Sequence, residues 1–172
     1  MLDLFEGEWA ELNWRNVPGP FYGAETDSMH GGRMDAPFHI AYDDEYGDYR
    51  GTEFVYRQPV NEQQVADLLN GSIFGHGGYA MDGDDHWTVP EVRRWWRERG
   101  RVRSWALTVA DRWAGKGDPE YQGHYDDAAQ GLRDYVAYID DGLEQYLRGY
   151  LFWLSERREP RRGEALPSLQ GA

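Results

Sequence analysis

The chain contains no cysteine. That excludes disulfides, thiolate zinc sites, iron–sulfur clusters held by cysteine and a cysteine nucleophile. Lysine is almost missing too, since Lys116 stands alone beside 17 arginines, and no phosphate loop of the Gly-x-x-x-x-Gly-Lys kind is present. No stretch approaches 18 apolar residues, so no helical membrane span is expected. Met1–Glu6 lacks the basic and apolar runs of a signal peptide, and the cytoplasm is the expected compartment.

What the chain does have is acid: 31 Asp and Glu against 18 Lys and Arg, a formal net charge of −13 on 172 residues. A nucleic-acid binder gains affinity by replacing counterions with Lys and Arg, so this balance argues against that class. It argues equally against an anionic membrane surface. A soluble protein that avoids polyanions, or one whose partner is basic, fits it. Hydrophobic residues make up 40%, with eight Trp and twelve Tyr, too apolar for a disordered acidic tail. One domain with a sizeable core is expected, over residues 1–158, followed by a weakly ordered tail at 159–172.

The two halves differ in texture. In the first, Gly51–Pro59 is the best strand candidate, an aromatic and β-branched alternation closed by Pro. Ala36–Tyr42 is a second, with the acidic cluster from Asp43 to Asp48 as the turn between them. Ser72–Phe74 is a third, weaker candidate. Asn61 and Gln64 form a capping box for a short helix over 61–70. The second half has helical spacing throughout. Thr88 and Glu91 make another capping box, for a helix that Gly100 is expected to stop. Val102, Trp105, Ala106, Val109 and Trp113 share one face of a helix over 101–115. The run from Leu132 to Leu154 keeps its phase through Gly142, which predicts one long helix over about 125–157, bent at that glycine. The sum is an α+β fold: a small antiparallel sheet from the N-terminal half packed against a C-terminal helical half.

Four clusters can carry chemistry. Residues 75–87 combine glycines with His76, Asp82, Asp84, Asp85 and His86, a set able to hold a divalent metal, although neither EF-hand nor helical His-x-x-x-His spacing is met. The bland reading, a turn-rich loop leading to the Thr88 cap, is favoured. Residues 18–33 hold Glu25, Asp27, Ser28 and His30, an acid–base set without a nucleophile elbow. The block from Arg93 to Arg103 interleaves six Arg with Trp95 and Trp96, and internal pairing with the surplus carboxylates is favoured over a nucleic-acid clamp. The aromatics Tyr135, Tyr138, Tyr146, Tyr150, Phe152 and Trp153 read mostly as core, with a partner-facing patch as the other possibility.

Three segments, Gly19–Asp27, Glu53–Pro59 and Gly78–Asp84, resemble an uncharacterised actinobacterial family of small acidic proteins, some of which carry the label ferredoxin. The likeness continues into the C-terminal helices. An ordinary ferredoxin is excluded by the missing cysteines, so the resemblance implies a bacterial group and no activity, and transfers no catalytic residue.

The leading expectation is an acidic cytoplasmic binding protein that neutralises a basic protein partner, as an immunity protein neutralises a toxin. Asp43, Asp44, Glu45, Asp82, Asp84 and Asp85 would steer that partner. Tyr46, Tyr49, Tyr79 and Trp87 would anchor it. No cofactor is expected. The alternative is a small-molecule or metal-dependent enzyme in which Glu25, Asp27 and His30 converge with His76, Asp82, Asp84 and His86. A DNA mimic is a third class, against which the 17 arginines weigh.

Overall fold

The computed structural model describes residues 7–26, 31–43, 52–71 and 78–171. Within them the chain is α+β, with small antiparallel ribbons from the N-terminal half packed against a helical C-terminal half. β1 (Tyr22–Gly23) pairs with β4 (Tyr79–Ala80), and β2 (Ile40–Tyr42) pairs with β3 (Glu53–Val55). Between them lie a short helix α1 (Gly31–Asp35) and α2 (Glu62–Gly71); then follow α3 (Val89–Ala114), α4 (Gln122–Asp140) and α5 (Leu143–Glu156).

The β2–β3 ribbon is the hairpin expected from 36–42 and 51–59, shortened to three residues a strand, with Ala41 opposite Phe54. Its turn retains only Asp43 among the described residues. The β1–β4 ribbon was not legible, and Ser72–Phe74 lies outside the described residues. Asn61 does cap α2, its Oδ1 accepting from Gln64 N at 2.9 Å, but the Gln64 side chain reaches back to Val60 N instead of closing the box.

The helical half corrects two expectations. Gly100 does not stop a helix, and α3 runs unbroken from the Thr88–Glu91 capping box to Ala114. A glycine in a helix interior costs only about 1 kcal/mol, and the buried stripe of Val92, Trp95, Val102, Ala106, Val109 and Trp113 outweighs it. Conversely, the predicted single helix over 125–157 is two. At Gly142 φ is +113°, a conformation outside any helix and one that glycine adopts without a Cβ penalty. The apolar phase survives because both helices pack on one core, which joins Leu132, Tyr135, Leu143, Leu147 and Leu151 to Phe54 of β3.

Residues 159–171 form no helix or strand, yet they are fastened more closely than their composition suggested. Leu169 is 2% exposed. Arg148 donates to the carbonyls of Leu166 and Pro167, and Arg93 to that of Ser168. Arg158 clamps Glu164 with two bonds of 2.9 and 2.7 Å.

A second constraint joins the halves. Arg33 is 3% exposed, and all five of its donors are matched: Asp127 accepts at both carboxylate oxygens and its carbonyl, and the carbonyls of Pro37 and Ile40 take the rest. The guanidinium lies against Gly131, where a Cβ would stand 2.7 Å from Arg33 Cζ.

These features make opposite predictions for two helical glycines. At Gly100 a Cβ meets nothing, so Gly100→Ala raises stability by about 0.5–1 kcal/mol. At Gly131 the added methyl displaces a pinned guanidinium, so Gly131→Ala lowers stability by about 1–3 kcal/mol. Chemical denaturation of both variants measures the contrast.

Candidate functional site

The described parts of the two Gly/Asp/His loops do meet. β1–β4 pairing and the bond from Ala24 N to Gly78 O bring residues 24–26 beside 78–80. The carboxylates that follow are already engaged. Asp82 accepts from the Tyr22 hydroxyl at 2.6 Å and lies 3.1 Å from His86 Nε2. Burial alone would raise the Asp82 pKa, but the hydrogen bonds from Tyr22 and His86 more than reverse it and hold the carboxyl below its usual range. The same contact and burial raise the Tyr22 hydroxyl well above an ordinary phenol. Asp84 accepts from the Tyr150 hydroxyl at 2.7 Å and Trp153 Nε1 at 3.2 Å, while its carbonyl accepts from Arg157. Glu25 is exposed, and His76, Asp27, Ser28 and His30 lie outside the described residues. No group of three or more His, Asp or Glu that could hold a metal occurs among the described residues.

The described residues expected to anchor a basic partner, Tyr79 and Trp87, are interior. Tyr79 is 1% exposed and donates to Glu53 at 2.5 Å, and Trp87 is 8% exposed against Trp9. Asp43 is buried and bonded to the amide and hydroxyl of Thr52. Asp44, Glu45, Tyr46 and Tyr49 lie outside the described residues. Asp85 alone of the set is both described and openly exposed without a bonded side chain. Apart from Arg94 the arginine block is engaged internally, more with carbonyls and rings than with acids: Arg93 and Arg97 donate to the carbonyls of Ser168 and Gly171, Arg103 grips Asp140 with two 2.8 Å bonds, Arg99 lies 3.8 Å over Trp96, and Arg101 lies 4.0 Å over Trp14.

A different site emerges between α2 and α5. It is a groove of about 770 Å³, of the size that takes an organic ligand or a peptide segment. Val65 and Leu69, one turn apart, form the α2 wall; Tyr146, Tyr150 and Trp153 form the α5 wall. Gly149 lies between the aromatics, and a Cβ there would meet nothing within 4 Å, so the groove floor is low where any other residue would fill it. The Tyr146 hydroxyl donates to the Pro18 carbonyl and its ring stacks on Tyr150 at 6.1 Å, which locks the aromatic wall. Burial, and for Tyr150 the Asp84 contact, raise both phenols well above their ordinary value, so this wall is uncharged. Every charged residue lining the groove is acidic: Glu62, Asp84 and Glu159. In the sequence Tyr146, Tyr150 and Trp153 read mostly as core, with a partner-facing patch only as the other possibility. Val65 and Leu69 were legible as an apolar stripe, but nothing local says that the stripe stays half uncovered.

The contacts around Asp82 and Glu164 predict separable titrations. Tyr22→Phe moves the Asp82 midpoint upward toward the ordinary carboxylate value. Because the folded pKa is depressed, the bond's contribution is present above the unfolded carboxylate range and is lost as pH falls through the folded value. The substitution costs about 0.5–1.5 kcal/mol at neutral pH, near the lower end because Asp82 is half exposed. The hydrogen bond from Arg158, then that from the Arg161 amide, hold Glu164 down to about 2, and Arg158→Ala returns it toward 4.5. Carboxyl NMR titration reads both. Compared with family models, curated proteins and solved structures, the chain matched none.

Proposed function

We propose that this protein is a binding protein for a basic protein partner, and that the α2–α5 groove receives an amphipathic helical segment of it. The observation that carries the reading is the pairing of an apolar floor with a rim whose lining charges are all negative. A helix laid in such a groove places its apolar i, i+3, i+4 and i+7 residues against Val65, Leu69, Tyr150 and Trp153. Its lysines and arginines then lie toward Glu62 and Glu159. The net charge of −13 adds a long-range field that accelerates encounter with a cationic surface. Of the nearby arginines, Arg158 is paired with Glu164, and Arg157 donates to the Asp84 carbonyl. The finer reading, neutralisation of a basic toxin in the manner of an immunity protein, rests on the same charge argument and places the inhibited partner in the same compartment. Enzymatic use of the Gly/Asp/His loops is not favoured, because Asp82 and Asp84 are occupied in holding the fold together.

A synthetic amphipathic peptide, leucines on one face and lysines on the other, supplies the probe. Calorimetry is expected to show saturable binding that weakens as ionic strength rises from about 0.1 M to about 1 M and the screening length falls from about 10 Å to about 3 Å. Gly149→Leu projects a side chain into the groove from a position where the Cβ meets nothing within 4 Å and is expected to abolish binding without lowering the melting temperature. Glu62→Lys with Glu159→Lys is expected to slow association by about tenfold. Equal binding by Gly149→Leu, or by a glutamate version of the peptide, overturns the proposal.

A further inference from the structure

A second cavity, lined by other residues, calls for an occupant of another kind. It lies between the N-terminal segment and the first half of α3 and encloses about 310 Å³, the lower end of the range for small-molecule sites. Trp9, Trp14, Trp87 and Trp95 make its apolar surface. Trp9 is fixed there by a T-shaped contact with Trp87 at 5.2 Å and by stacking on His86 at 4.9 Å.

Two observations mark the cavity as more than a packing gap. Among the described residues three buried indole N–H groups lack any acceptor, those of Trp87, Trp95 and Trp105, and the first two belong to this wall. Buried donors without partners are rare in folded proteins and each calls for a reason. Four charged residues line the wall; Glu91 closes the Thr88 cap and Arg101 lies over the Trp14 ring, which leaves two charges unengaged. Arg94 and Glu98 sit one turn apart on α3, about 6 Å along its axis, and neither is bonded to the other or to any other described residue. Their order explains why they leave each other free: an acid followed four residues later by a base pairs well on a helix, and the reverse order pairs poorly. Other arginines of the helix are engaged, the cavity's own Arg101 on Trp14, Arg99 on Trp96 and Arg103 on Asp140.

We infer that this cavity binds a small zwitterion of the amino-acid type carrying an aromatic side chain. Arg94 takes the carboxylate. Glu98 takes the ammonium one turn further along. The side chain stacks among the indoles, where edge and face contacts between rings are favourable. A purely anionic ligand would leave Glu98 opposed to it, and a purely cationic one would meet Arg94, so the pair of charges selects for both groups on one molecule. This inference is independent of the α2–α5 groove.

L-phenylalanine is the probe, with 3-phenylpropionate and phenethylamine as versions lacking the ammonium or the carboxylate. Titration followed by intrinsic tryptophan fluorescence is expected to show a saturable change with L-phenylalanine, confirmed by a rise in melting temperature. Each truncated probe, and each of Arg94→Ala and Glu98→Ala, is expected to weaken binding by about tenfold or more. Arg94 and Glu98 are exposed, so both variants keep the melting temperature of the ligand-free protein. No saturable signal with L-phenylalanine overturns the inference, and so does equal binding of the truncated probes or unchanged binding by both variants.

Discussion

The N-terminal half depends on buried side-chain amides and one buried carboxylate doing what backbone pairing does elsewhere. Its two ribbons are only two and three residues long, while buried peptide groups in the segments around them still require partners. Asn16, 1% exposed, accepts from the amides of Gly23 and Val55 and donates to the carbonyls of Asn13 and Gly23. Gln58, fully buried, accepts from Phe21 N and donates to the carbonyls of Val17 and Phe21. Glu53 accepts from the amides of Gly32 and Arg33 and from the Tyr79 hydroxyl. These three residues tie β1, α1, β3 and β4 into one unit, and the low strand content follows from it: the segments are held sideways by side chains, so they need no longer ladders.

A related arrangement engages two of the loop carboxylates. Tyr22, Tyr150 and Trp153 are large rings brought to the interior by the hydrophobic effect, and each carries a polar atom that must be satisfied there. Asp82 and Asp84 supply the acceptors. Asp84 thereby fixes the 3₁₀ turn Gly83–Asp85 against α5, and that contact stands one wall of the groove in place. Residues that a sequence presents as chemistry are here the fastenings of an aromatic core. The surfaces left for function are those where aromatic walls are built but not covered, beside α2 and beside the start of α3.

Local signals carried much of the helical half. The Thr88–Glu91 box, the apolar stripe of α3 and the stripe running through Leu132, Leu143 and Leu147 are all properties of nearest neighbours in sequence, and the structure has them where the spacing puts them. Boundaries at glycine were the weak point. Gly100 reads as a stop and Gly142 as a bend inside one helix, yet the first sits inside a helix and the second breaks one, because the outcome turns on how much apolar surface each side buries and not on the glycine itself. The hairpin of β2 and β3 was legible from alternation and its turn; the β1–β4 ribbon was not, since two residues a strand leave no period to read.

By itself the sequence determined the acidity, the absence of thiol chemistry, the helical stripes and their caps, all of which depend on composition or on residues within a turn of each other. Only the tertiary structure decided that Arg33 would find Asp127 across 94 residues, that Tyr79 and Trp87 would be interior, and that Val65 and Leu69 would face Tyr150 and Trp153 across an open groove. Those outcomes rest on which surfaces exclude water from one another. That is a property of elements distant in sequence, and no local pattern encodes it.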